Sequence, residues 1–142
     1  MPTPCWTPST LHAALTSDVS VSTLTLEVEL LEPQDAIRVL LPTMGDLEIY
    51  IAVVDKVLVV DTALVSADAV IDAAAFNATV LSSRDLFPLS AIGLDTDADG
   101  VGHYVMYGSL HASSALETVL AEIYTLAINV QTAAATFQSF FK

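Results

Sequence analysis

The spacing of apolar positions changes several times along the chain, and each change marks an element. Thr7 followed by Pro8 has the form of a helix N-cap with proline at the first helical position. Leu11, Ala14 and Leu15 then supply a short apolar face ending near Asp18. From Thr23 the period becomes two: Leu24, Leu26, Val28 and Leu30 alternate with Thr23, Thr25, Glu27 and Glu29, the pattern of a half-buried antiparallel strand. After a turn at Glu32-Pro33-Gln34-Asp35, Ala36–Leu41 is extended and Pro42 stops it. Leu47, Ile49, Ile51 and Val53 alternate again, with Glu48 and Tyr50 opposite, and Asp55-Lys56 closes a tight hairpin onto Val57-Leu58-Val59-Val60. That last run is apolar on both faces, so it is either central and covered twice or turned toward a partner.

The period then lengthens to that of a helix. Ser66 reads as an N-cap, Asp68 lies in the first turn, and Val70, Ala73, Ala74, Asn77, Val80 and Leu81 trace one face until Pro88 forces an end. Leu89–Leu94 and Gly102–Leu110 flank an Asp/Gly-rich turn as a second hairpin. Ser114 with Glu117 forms a capping box, and a final helix is predicted from there to the C-terminus. Its stripe runs through Leu116, Val119/Leu120, Ile123, Ala127, Val130, Ala134, Phe137 and Phe141, while Leu126, Ala133 and Phe140 lie off it. Strands in runs rather than in alternation with helices give an α+β fold with an antiparallel sheet, in the order α-β(3-4)-α-β-β-α. Residues 1–142 form one domain, with 1–7 an irregular leader.

Composition adds to this picture. Apolar residues are 54% of the 142, above ordinary globular usage, and an oligomer interface is the usual place for such a surplus. Seventeen acidic side chains against four basic ones give a net charge of −13. That balance argues against nucleic acid and against an anionic membrane surface, since Arg38, Lys56, Arg84 and Lys142 are too few and too scattered to neutralise phosphates. The acidity itself serves solubility. The uncharged stretch Ile123–Phe141 carries too many polar residues for a membrane span and reads as a buried or interfacial helix, without direct membrane insertion. Cys5 is the single cysteine, and with no signal-peptide pattern before it the expected compartment is the reducing cytoplasm.

Few residues carry chemistry. Asp95-Thr96-Asp97-Ala98-Asp99-Gly100 matches the opening of a calcium loop, with Asp95, Asp97 and Asp99 as the oxygen donors, but Met106 stands where the bidentate glutamate belongs and the flanks are strands. An acidic hairpin turn is the favoured reading, and a calcium-responsive protein is the alternative. His12, His103 and His111 lack ligand spacing. No nucleophile elbow or phosphate loop occurs, so no catalytic residue and no cofactor is assigned; an enzyme with an unrecognised site remains a third alternative.

The stretch Leu11–Leu126 resembles the YjfI-like family of small bacterial proteins of unknown function. The likeness rests on Ala75-Phe76-Asn77, on Leu86-Phe87-Pro88-Leu89-Ser90, on His103-Tyr104, and on Tyr107-Gly108-Ser109-Leu110-His111-Ala112-Ser113-Ser114-Ala115-Leu116-Glu117. The resemblance implies no catalytic residues, and gene neighbourhood in that family points to a phage-shock-protein-A-like membrane-stress partner. The element order also resembles the type III secretion chaperone-like fold, whose members are small, acidic and dimeric and hold segments of a client protein. It departs from that fold by the extra strand at Ala36–Leu41 and by the long last helix. The expectation is a non-enzymatic, homodimeric, chaperone- or adaptor-like module, with Leu58 and Val60 of the doubly apolar strand and the off-stripe Leu126 and Phe140 as partner-binding candidates.

Overall fold

The computed structural model describes residues 4–17, 25–33 and 35–142. The positions Thr23 and Leu24 of the first strand, the helix end at Asp18, Gln34 of the turn and the first residues of the leader lie outside them. The chain builds a six-stranded antiparallel sheet in the order β1-β2-β3-β4-β6-β5. Its strands are β1 (Glu27–Leu31), β2 (Ala36–Leu41), β3 (Leu47–Val54), β4 (Val57–Ser66), β5 (Ala91–Thr96) and β6 (Gly102–His111). Three helices accompany it: α1 (Pro8–Ser17), α2 (Ala73–Leu81) and α3 (Leu116–Thr136).

All three helices lie on one face of the sheet. Strand alternation sends Ile37, Val39 and Leu41 of β2, Ile49 and Ile51 of β3, and Leu58 and Val60 of β4 to that face, each at most 1% exposed. Leu11 and Leu15 of α1 cover the β1–β3 half, and Val119, Ile123 and Leu126 of α3 cover β4 and β6. Fully burying each such side chain contributes about 1.5–3 kcal/mol. α1 starts as its sequence implies: the Thr10 amide donates to Thr7 Oγ1 at 3.1 Å and the Thr7 amide donates to Thr10 Oγ1 at 2.9 Å, a reciprocal cap with Pro8 in the first turn.

Several boundaries differ from those the spacing predicts. β4 does not end at Val60; it pairs with β6 as far as Ser66, with a register shift between Ala63 and Val65. Asp61 breaks the apolar run only because it faces outward. Ser66 therefore caps no helix: Ala67–Ala69 is a 3-10 turn without a side-chain cap, and α2 begins after Asp72, whose Oδ1 accepts from the Ala75 amide at 3.1 Å. α2 ends at Leu81, well before Pro88. Ser114 is not the cap of α3 either, because its hydroxyl donates to the His111 carbonyl at 2.6 Å and Ala115 occupies the cap position without a side-chain bond. The last helix stops at Thr136 rather than running to the C-terminus.

Aromatic packing accounts for that stop. Phe76 of α2, fully buried, meets Tyr104 at 4.8 Å and Phe137 at 5.5 Å edge-to-face, and Phe140 and Phe141 close around it at 5.5 and 5.6 Å. Ring centroids this close require the chain to fold back after α3. The fold-back is pinned by Ile71 N–H to the Phe140 carbonyl (2.9 Å) and Lys142 N–H to the Ala69 carbonyl (2.8 Å). Within the leader, the Trp6 indole N–H donates to the Ser114 carbonyl at 2.7 Å and the Trp6 amide to the Ala112 carbonyl at 2.7 Å.

Candidate functional site

The sheet leaves β5 with an edge that no strand pairs among the described residues. An unpaired edge presents a row of backbone donors and acceptors to whatever extended segment approaches it. α2 runs beside this edge, and between them lies an apolar groove of about 320 Å³, lined by Val80, Leu81, Ile92, Leu94 and Tyr104. A second hollow of about 170 Å³ shares Val80, Leu81 and Ile92 and continues to Phe87 and Ser90. The rim is apolar as well: Leu81 is 80% exposed and Leu94 54%. A solvated groove has no physical reason to carry so many leucines.

The groove is held open by polar contacts on either side. The Tyr104 hydroxyl donates to Asn77 Oδ1, fixing α2 to β6. Asn129 of α3, itself buried, donates from Nδ2 to the Pro88 carbonyl at 2.9 Å and to Ser90 Oγ at 3.0 Å. Those bonds anchor the loop between α2 and β5, so the groove does not depend on β5 pairing alone. Arg84 stands at its mouth, highly exposed, with only a loose 3.7 Å contact to Asp85.

The residues singled out from sequence fall elsewhere. Leu58, Val60 and Leu126 are 0% exposed and belong to the core, so their apolar surplus is absorbed inside the monomer rather than displayed. The doubly apolar strand resolves into an inner pair, Leu58 and Val60, and an outer pair, Val57 and Val59. Phe140 is half-buried against Phe76. The groove residues Leu81, Ile92 and Leu94 were not singled out. The nearest signal in the sequence was Leu86 and Leu89, apolar residues in a Ser/Asp/Pro-rich segment where no helical period asks for them.

The acidic loop is an acidic turn. Asp97 Oδ1 accepts from the amides of Asp99 (2.9 Å) and Val101 (3.0 Å), and Oδ2 pairs with His103 Nε2 at 2.9 Å. The His103 bond and then the Val101 amide hold the Asp97 carboxyl below the usual carboxylate range. Gly100, at φ 81°, supplies the left-handed turn residue. Asp95 does not converge with Asp97 and Asp99; it lies on the outer face of the sheet beside Asp61. Among the described residues no group of three or more His, Cys, Asp or Glu side chains has the geometry of a metal site. Nor does any helix among them have the length and apolarity to cross a membrane.

A second buried polar feature sits behind the groove. Glu122 of α3 is 6% exposed, and its Oε1 has no hydrogen-bond partner among the described residues. Burial pushes its carboxyl above the usual carboxylate range. The carboxylate occupies the space left by Gly108 of β6: a Cβ there would lie 1.7 Å from Glu122 Oε1.

Comparison with known proteins agrees with this architecture. A family model described as an uncharacterized protein conserved in bacteria (DUF2170) matches residues 5–141. The uncharacterized protein YjfI of Escherichia coli K12 is 24% identical over 124 residues, spanning 87% of this chain and 89% of that protein, and the YjfI of strain O157:H7 matches to the same extent. Among solved structures, YbjN from E. coli superimposes with a TM-score of 0.67 at 15% identity, over 91% of this chain and 92% of that one. A chain of the HopA1–SchA chaperone–effector complex superimposes with a TM-score of 0.59 at 16% identity, over 86% and 91%. These likenesses show a secretion chaperone-like α+β fold.

Proposed function

From the premise that the chain belongs to the DUF2170 family, a family of uncharacterized bacterial proteins, we propose that it is a non-enzymatic protein-binding module of the chaperone or adaptor kind. The observation that carries this reading is the leucine-rimmed groove beside the free edge of β5. An extended client segment would add to that edge through its backbone and place alternate side chains against Val80, Leu81 and Ile92. The fold it shares with a chain of a chaperone–effector complex supports the same reading. A phage-shock-protein-A-like membrane-stress protein, in the cytoplasm, is the client that the family resemblance puts forward.

We propose further that the module is a homodimer. Two copies that each carry a net charge of −13 repel one another except where a surface lacks charge. The outward side of α3 is such a surface: Thr118, Ala121, Thr125, Ile128, Thr132 and Ala135 recur at helical spacing, and Ile128 is 55% exposed. A helix of 21 residues is about 32 Å long, enough to seat a partner helix along its length.

Co-purification of the tagged native protein, followed by identification of what it retains, tests the binding claim. A discrete partner retained by the native chain and lost from Leu81→Asp and Leu94→Asp supports it. Retention of the same partner by both variants, or of none by the native chain across growth conditions, overturns it.

A further inference from the structure

Among the described residues, the face of the sheet opposite the helices carries no layer of its own. A solvated sheet face is expected to be polar. This one has an apolar strip across β3, β4 and β6: Ala52, Val54, Val57, Val59, Val105 and Tyr107, of which Val54 is 57%, Val57 38% and Tyr107 37% exposed. Tyr107 lies flat over Gly93 of β5, where a Cβ would come within 3.1 Å of its ring. The result is a shallow hollow of about 360 Å³ lined by Val59, Val105 and Tyr107 together with the carboxylates Asp61 and Asp95.

Carboxylates flank this strip on both sides. Glu27, Glu29 and Glu48 stand on the β1–β3 side, and Asp61 and Asp95 on the β4–β5 side. Arg38, the one Arg or Lys in these rows among the described residues, is already shared between Glu29 and Glu48, at 3.2 Å from the latter. A second copy of the chain laid on this face would oppose these carboxylates with its own, which disfavours self-association here. An uncovered sheet face is most simply closed by a helix.

We propose that this face docks an amphipathic helix of a partner protein, with an apolar stripe against Val57, Val59 and Tyr107 and Lys or Arg side chains reaching Glu48, Asp61 and Asp95. It lies on the opposite face of the sheet from the β5 groove and meets it only at Gly93 and Leu94 of β5, and each stands without the other.

The probe is a fluorescent synthetic helix with leucines at i, i+3, i+4 and i+7 and lysines elsewhere, titrated with the full chain at physiological salt. Two comparison peptides are a scrambled sequence of the same composition and the same helix with glutamates for lysines. The patterned Leu/Lys helix binds, and the scrambled and Glu versions bind at least about tenfold more weakly, which is about 1.4 kcal/mol. The charge-neutral pair Val59→Asn with Tyr107→Ser reduces affinity by a similar factor. Should that pair unfold the chain, Val57→Ser and Asp61→Asn each weaken binding several-fold while melting no lower than the native chain. Glu117→Gln and Asp99→Asn, off this face, change it less than twofold. Equal binding of the scrambled peptide, indifference to the face variants, or loss of binding by Leu81→Ser in the groove would each overturn the proposal.

Discussion

The two faces of the sheet are built from the same strands by the same alternation, yet they differ in kind. On the inner face Ile37, Ile51 and Val60 form a row ending at Gly108, with the three apolar side chains at 0% exposure beneath the helices. On the outer face the adjacent row is Glu29, Arg38, Tyr50, Asp61 and Tyr107, partly hydrated throughout. The inner face is close-packed, so a change of one methylene is felt there. The outer face has room, so substitutions there act on binding and charge before they act on folding. The difference separates the residues that make this fold from those free to specialise it.

The contrast breaks first on the inner side. Phe76→Ala removes the ring around which Tyr104, Phe137, Phe140 and Phe141 assemble, and denaturant unfolding should show a loss of about 3–5 kcal/mol. Gly108→Ala drives a methyl into the Glu122 carboxylate and to 3.0 Å from the Leu89 carbonyl, so a loss of about 1–3 kcal/mol is expected. Glu122→Ala in the same chain should restore part of it, and a double-mutant cycle measures the coupling.

Glu122 also gives the inner face a pH dependence. Burial raises its folded-state value above the ordinary 4.5, so folding favours the protonated form. Its stabilising contribution is complete below the unfolded value and is lost as the pH climbs through the raised folded one. Thermal melts should therefore show Glu122→Gln gaining stability relative to the native chain at pH 8 and not at pH 4. Asp61, raised by burial and then by Asp95, acts in the same direction from the outer face. Val59→Ser, on that face, should change unfolding free energy by no more than about 1 kcal/mol. Ile128→Asp, on the outside of α3, should leave the melt nearly unchanged and convert a dimer to a monomer in sedimentation at micromolar concentration.

Much of this was legible in the chain because alternation is a local signal. Ile49 and Ile51 announce a strand without reference to anything distant, and β2 and β3 emerge as read, while β1 starts only at Glu27, with Thr25 and Leu26 outside it. The start of α2 was not legible. Ser66 has cap chemistry, but nine paired positions along β6 outweigh a single side-chain bond, and that pairing depends on residues far along the sequence. The end of α3 was hidden for the same reason, since Phe140 and Phe141 turn back only because Phe76 waits for them. The groove was the least legible feature. Leu58, Val60 and Leu126 looked like surplus because an apolar residue carries no mark of which face it will take. Leu81 and Leu94 looked ordinary because exposure is set by what fails to cover them.

The central claim is that the β5 groove receives another protein, and site-specific photocrosslinking tests it most directly. A photoreactive side chain is placed at Leu81 or Leu94 within the groove, or at Glu117 on the first turn of α3, and the native host is irradiated. A discrete adduct from Leu81 and Leu94, absent from Glu117, is the result expected. No discrete adduct from the groove positions, or the same adduct from Glu117, would contradict it.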